Sequence, residues 1–146
     1  MRLFSLILFG SLLVSVNNWE NDFDTAKERA GKEHKLILLN FSGSDWCIPC
    51  IRMHKQVFED KAFIDYAEKK LVLLNADFPR LKKNQLSKEQ QKKNDHLAEK
   101  YNSDGLFPMT LLLTAKGEVV AKWDGFPALS AEEFKNEVQK IVDARQ

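Results

Sequence analysis

The stretch LILLNFSGSDWCIPC, residues 36–50, holds an apolar run interrupted only by Asn40, then a Ser/Gly break, then both cysteines of the chain, Cys47 and Cys50. An apolar run of this length suits a strand buried on both faces, as in a parallel sheet. Beyond the break Ile51, His54 and Phe58 recur at helical spacing, so a helix is expected to start at the cysteines and to bury that face. Two thiols three residues apart can serve as a staple, as half of a metal site or as a redox centre. A handover from strand to helix is where sites form in open α/β sheets, so the surrounding pattern decides which reading gains weight.

Downstream, KAFIDYAEKK (61–70) continues as helix with Phe63, Ala67 and Tyr66 inward, and LVLLNA (71–76) is a second buried strand. Strand, helix, strand implies a parallel crossover. Upstream, Phe23, Ala26 and Ala30 share a helical face, with Asn21 or Asp22 as cap and Gly31 as stop. Ser87 opens a helix carrying Leu97, Ala98 and Tyr101. MTLLLTA (109–115) and EVVAKWDG (118–125) then read as an antiparallel hairpin around Gly117. Ser130 and Glu133 form a capping box before the stripe Phe134, Val138, Ile141 and Val142. The expected fold class is therefore α/β: a central mixed four-stranded sheet built from βαβ plus ββα, flanked by helices, with an N-terminal helix.

The bulk numbers agree with one soluble domain. The chain has 146 residues, 44% hydrophobic and 29% charged, and two cysteines are too few for a disulfide framework. A net charge of +1 leaves no global field to attract nucleic acid or a membrane. From Arg80 to Lys100 seven basic residues face three acidic ones, without interleaved aromatics, and we read that run as a solvated face. The first residues differ in kind: Arg2 precedes an apolar run from Leu3 to Val16, too short to span a bilayer as a helix. Residues 1–16 are expected to be a signal peptide or an N-terminal anchor, although no A-x-A cleavage pattern follows. The chain is expected outside the cytoplasm, in the periplasm, with membrane anchoring through residues 3–16 if the segment stays.

A thiol at a helix N-terminus meets unpaired N–H groups and a positive partial charge, which favour the reactive thiolate. Cys47 would sit at that end, with Cys50 one turn inside. Cys47 is therefore the expected nucleophile and Cys50 the thiol that resolves the mixed disulfide. Pro49 stiffens the first turn, Ile48 adds an apolar contact and Trp46 covers the site.

With WCIPC at 46–50, NAD at 75–77, FPMT at 107–110 and KGEVVAKWDGF at 116–126, the chain resembles the thioredoxin superfamily over nearly all of residues 17–146. It is most similar to exported thioredoxin-like thiol:disulfide oxidoreductases with an FSGSDWC motif. The resemblance implies a thioredoxin fold, a redox-active Cys47–Cys50 disulfide, and a cis Pro108 that, with Phe107, faces it. Trp46, Ile48, Pro49, Phe107 and Pro108 are then the expected substrate-binding residues. An x-Pro dipeptide between the cysteines resembles the reducing members, so protein disulfides are the expected substrates and a membrane thiol-electron carrier the expected donor. No cofactor is expected, since no flavin or nicotinamide motif occurs, and the protein is expected to act as a monomer without nucleic acid. The resemblance also aligns Asn40 with the family's buried Asp and Leu73 with its lysine partner, which leaves Cys50 without the family's general base. Asp45 is a doubtful substitute.

The rival reading is metal. Structural zinc takes four ligands, usually as two pairs, and neither His34 nor His96 belongs to a second pair. Covalent haem needs a His after the second Cys, where Ile51 stands. Copper(I) accepts two or three soft ligands, so a copper-delivering role through Cys47, Cys50 and His54 is the alternative. As a staple, a bridge closing so short a loop removes little chain entropy.

Overall fold

β1 (Leu36–Ser42) sends alternate side chains into two separate apolar layers, and the rest of the fold is arranged around it. The computed structural model describes residues 19–145. The expected signal or anchor segment, residues 1–16, lies outside the described residues. β1 pairs in parallel with β2 (Leu71–Asp77) and antiparallel with β3 (Met109–Leu113), which pairs antiparallel with β4 (Val119–Asp124). The strand order is β2-β1-β3-β4, the mixed four-stranded sheet expected from a βαβ unit followed by a ββα unit.

Ile37, Leu39 and Phe41 face the layer of α1 (Phe23–Glu33) and α4 (Lys88–Tyr101), where they meet Ala26, Ala30 and Leu97. Leu38 faces the opposite layer, with Phe58, Phe63, Phe134 and Val138. That layer holds the helix after the cysteines, α3 (Lys61–Lys70) and α5 (Ala131–Asp143). A buried aromatic side chain contributes roughly 1.5–3 kcal/mol. The buried rings of Phe58, Phe63 and Phe134, which meet at tilted angles with half-buried Trp123 edge-on to Phe134, therefore anchor the layer on which the cysteine-bearing helix rests. The same even-numbered face of β1 carries Asn40 opposite Thr110, a polar pair at the edge of this core.

Four local expectations need correction. The helix from the cysteines is not uniform: α2 (Ile48–Met53) passes into a π-helical turn, His54–Phe58. The wider turn shifts the buried face to Cys50, Met53, Val57 and Phe58, leaving His54 exposed and Ile51 half-buried. Nor does the helix run on through residue 60. Asp60 accepts hydrogen bonds from the N–H groups of Ala62 and Phe63 and starts α3 afresh, since a side-chain carboxylate competes with the helical carbonyls. Gly31 does not stop α1, because Arg29–Glu33 and Glu28–Lys32 pairs carry it two residues further, to Glu33 and a left-handed His34. The hairpin strands are shorter than expected, because the turn closes early: Thr114 N–H bonds the Glu118 carbonyl and Gly117 takes a φ of 85°.

Before α1, Glu20 adds one bridge to the outer edge of β2, a contact without a sequence signal. Among the described residues no helix is long and apolar enough to cross a membrane.

Candidate active site

The redox pair is built by the turn that links β1 to α2. The Gly43 carbonyl accepts N–H bonds from Trp46 (3.3 Å) and Cys47 (2.9 Å), folding the chain back so that Cys47 becomes the N-cap of α2. Its Sγ accepts from the Cys50 N–H at 3.3 Å, and the Gly43 N–H lies 3.5 Å from Cys50 Sγ. Both sulfurs thus face backbone donors, which favour negative charge on them when the bridge opens. The two cysteines are disulfide-bonded with Cα atoms 5.2 Å apart, and each is only 4% exposed. Pro49 sits in the first turn, where a missing N–H breaks no helical bond. Ile48 beside it is 59% exposed, an unusual place for a β-branched apolar side chain.

Trp46 ties this turn to two other segments. Its indole N–H donates to the Phe78 carbonyl at 2.7 Å, and its ring meets Phe107 edge-on at 5.5 Å. Phe107 in turn packs on Phe78, so the end of β2 and the start of β3 converge on the motif. The Phe107–Pro108 peptide is cis and Pro108 is buried. Gly43 is the residue that admits the indole, because a Cβ there would lie 2.3 Å from the Trp46 ring. Sequence reading gave Gly43 no role, and only the SGS break marked it.

Asp45 is structural. Its carboxylate accepts from the N–H groups of Arg80 and Leu81, both at 2.9 Å, and from the Asn84 amide at 3.0 Å. The Arg80 N–H bond, with those of Asn84 and Leu81, holds this carboxyl below the usual carboxylate range. A group so engaged is a loop clamp and a poor base for Cys50. Asp77 plays the matching part on the other side, accepting from Ser42 Oγ, from the Ser44 N–H and from Ser44 Oγ. The Arg80 guanidinium lies 3.6 Å from the Trp46 ring centre, a cation–π contact that sequence reading missed.

Behind Cys50 lies a cavity of about 290 Å³, lined among others by Trp19, Asn40, His54, Glu59 and Asn75. It has room for several waters. Asn40 is buried and donates through Nδ2 to Thr110 Oγ1 at 3.0 Å. Leu73 is buried in the apolar layer opposite Leu38. Neither position supplies a charged group beneath Cys50. His54 and Cys50 line this cavity while Cys47 does not, and among the described residues no three His, Cys, Asp or Glu side chains gather as metal ligands. His54 is therefore not gathered with the two cysteines, and the copper alternative would rest on the two thiols alone.

Residues 23–141 match the family described as a thioredoxin-like domain. The chain belongs to the thioredoxin-like family. It is 33% identical over 127 residues to the disulfide bond reductase DsbH of Chlamydia pneumoniae, covering 87% of this chain and 74% of that protein. A solved structure of a DsbH oxidoreductase superposes with a TM-score of 0.78 at 30% identity, covering 96% of this chain and 95% of the other. A putative disulphide-isomerase from Bacteroides thetaiotaomicron superposes with a TM-score of 0.59 at 29% identity, covering 84% of this chain and 89% of that one. The thioredoxin-like chain is a thiol:disulfide oxidoreductase, and its CxxC pair is closed in this structure.

Proposed function

We propose that the protein reduces protein disulfides outside the cytoplasm, with Cys47 attacking and Cys50 resolving. The observation that carries this is the place of Cys47: an N-cap sulfur facing the Cys50 N–H, beside the exposed Ile48 and Pro49. The Cys47 thiolate bonds one substrate sulfur and expels the other as thiolate. Cys50, after losing its proton, bonds Cys47 Sγ and expels the second substrate thiolate. The substrate gains two electrons, two protons complete its thiols, and the Cys47–Cys50 bond stores the oxidation. Trp46, Ile48, Pro49, Phe107 and Pro108 form the apolar ground on which the substrate lies.

The pair must then be reduced by an outside dithiol. A membrane thiol-electron carrier fits an exported protein, and the protein acts as a monomer toward it. The residues 1–16 are the signal peptide or anchor that takes the chain to the periplasm, which sequencing the mature N-terminus after cell fractionation tests. A cytoplasmic protein retaining Met1 would contradict export. The reductase reading is supported by the name of the DsbH relative, a disulfide bond reductase. Its test is insulin reduction with dithiothreitol as the recharging thiol. Catalytic amounts of the purified chain are expected to speed precipitation of the insulin B chain; a rate equal to dithiothreitol alone would overturn the reading.

A further inference from the structure

We propose that the 78–86 segment, together with Ile48 and Leu106, is a docking surface for an acidic stretch of the substrate protein that flanks its disulfide. This rests on the oxidoreductase reading and adds the chemistry of the partner.

The large hydrophobic residues exposed among the described residues are Ile48, Leu81 (48%), Leu106 (36%) and Val119 (55%). A single exposed Leu means little. Three of these four, however, belong to the segments that converge on Trp46. Ile48 follows Cys47 directly. Leu81 is fixed through its N–H to Asp45, one residue from Trp46. Leu106 precedes Phe107, which packs on the indole, and buried Asn102 holds both Leu106 backbone groups at 2.9 Å. The apolar residues are therefore displayed on a pinned backbone, which lowers the ordering cost of a partner. Val119 lies apart, on β4.

The charge on this segment has one sign. Arg80 lies over Trp46, and Lys82 and Lys83 stand in the short 3-10 turn Lys82–Asn84. Among the described residues none of the three forms an ion pair. Asp45 offsets part of their charge, but its oxygens are occupied by Arg80 N–H, Leu81 N–H and Asn84. Asp77 is likewise engaged by Ser42 and Ser44. The basic run read from sequence thus divides in two. Within α4, Lys93 pairs with Asp22 at 2.8 Å and lies near Glu89, and the helix carries Asp95 and Glu99 besides, whereas residues 78–86 hold no acidic side chain. The cations of residues 80–83 are exposed, and Arg80 lies over the Trp46 that precedes Cys47. With 22 basic and 21 acidic residues in the chain, this field is local and not a property of the whole protein. An acidic segment with apolar side chains is the occupant that matches both features.

The test uses two disulfide-bonded peptides that differ only in flanks of Asp and Glu or of Lys. The oxidised chain cannot react with them, so titration reads binding alone. The acidic peptide is expected to bind about tenfold tighter at low salt, with the difference shrinking as salt screens it. The reduced chain is expected to show the same preference in the rate of reduction. The Lys82→Glu/Lys83→Glu variant is expected to lose or invert it, while reduction of the neutral 2-hydroxyethyl disulfide stays unchanged. Equal binding of the two peptides, or a preference that survives the double substitution, overturns the proposal. Anionic vesicles or single-stranded DNA binding as tightly as the acidic peptide, and released by the same variant, would make this a general anion surface and also overturn it. Failure to reduce 2-hydroxyethyl disulfide while the acidic peptide binds would instead count against the oxidoreductase reading.

Discussion

A Cys50→Ser variant is expected to accumulate a mixed disulfide with its substrate through Cys47, whereas Cys47→Ser is expected to trap nothing. Each substitution should lower insulin reduction by on the order of a thousandfold or more, since the two thiols act as one unit. The roles follow from position. Cys47 Sγ receives the Cys50 N–H at the start of a helix, and both features favour its thiolate. Cys50 lies one turn inside, against the cavity lined by Asn40, and meets the N–H of Gly43. Serine at position 50 keeps a small polar side chain and the helix, but its hydroxyl cannot attack the mixed disulfide. Faster alkylation of Cys50 than of Cys47 near neutral pH would reverse the assignment.

Asn40→Asp is expected to speed resolution of the mixed disulfide at pH 7 by about tenfold or more, because a positioned general base contributes roughly 10²–10⁴-fold. In the wild type the amide of Asn40 takes no proton, and its Nδ2 is committed to Thr110 Oγ1. Proton loss from Cys50 then depends on water or hydroxide in the cavity, so resolution should climb with pH from 6 to 9. An aspartate there would accept from the Thr110 hydroxyl and take the Cys50 proton, flattening that climb. Burial should also raise its pKa above the unfolded value. In that case the unfolded chain releases its proton first as pH rises. The variant is then closest to the wild type in stability below about pH 4, and loses about 1–3 kcal/mol as pH rises through the folded pKa. Stopped-flow kinetics across pH 6–9 and denaturation at two pH values measure both effects. A resolution rate and pH profile equal to the wild type would show that the proton of Cys50 leaves by another route.

Periodicity and the position of the cysteines made most of the fold readable. The run 36–41 and its twin at 71–76 are apolar because both faces of each strand are covered, and this is what places the CxxC at the carboxyl end of β1. Resemblance supplied the cis Pro108, which no spacing rule contains. The π-turn at His54–Phe58 was not readable, since it depends on which of two neighbouring faces the core accepts. Nor was the clamp around Trp46. Asp45 reaches N–H groups 35 and 36 residues away, and Arg80 reaches a ring in another segment, so only tertiary packing brings these partners together. The basic run shows the same limit. All three acidic residues of the run, Glu89, Asp95 and Glu99, lie within α4, but that Lys93 pairs with Asp22 and that Arg80 covers Trp46 is settled only in space.

The central claim is that Cys47 and Cys50 form a reducing pair, and its most direct measurement is the reduction potential of that pair. The protein is equilibrated in dithiol/disulfide buffers of set ratio, and the closed fraction is counted after alkylation. With an x-Pro dipeptide between the cysteines and no His before Cys50, the account predicts a potential near about −270 mV, close to that of thioredoxin. A value near about −120 mV, that of a strong oxidant, would contradict it.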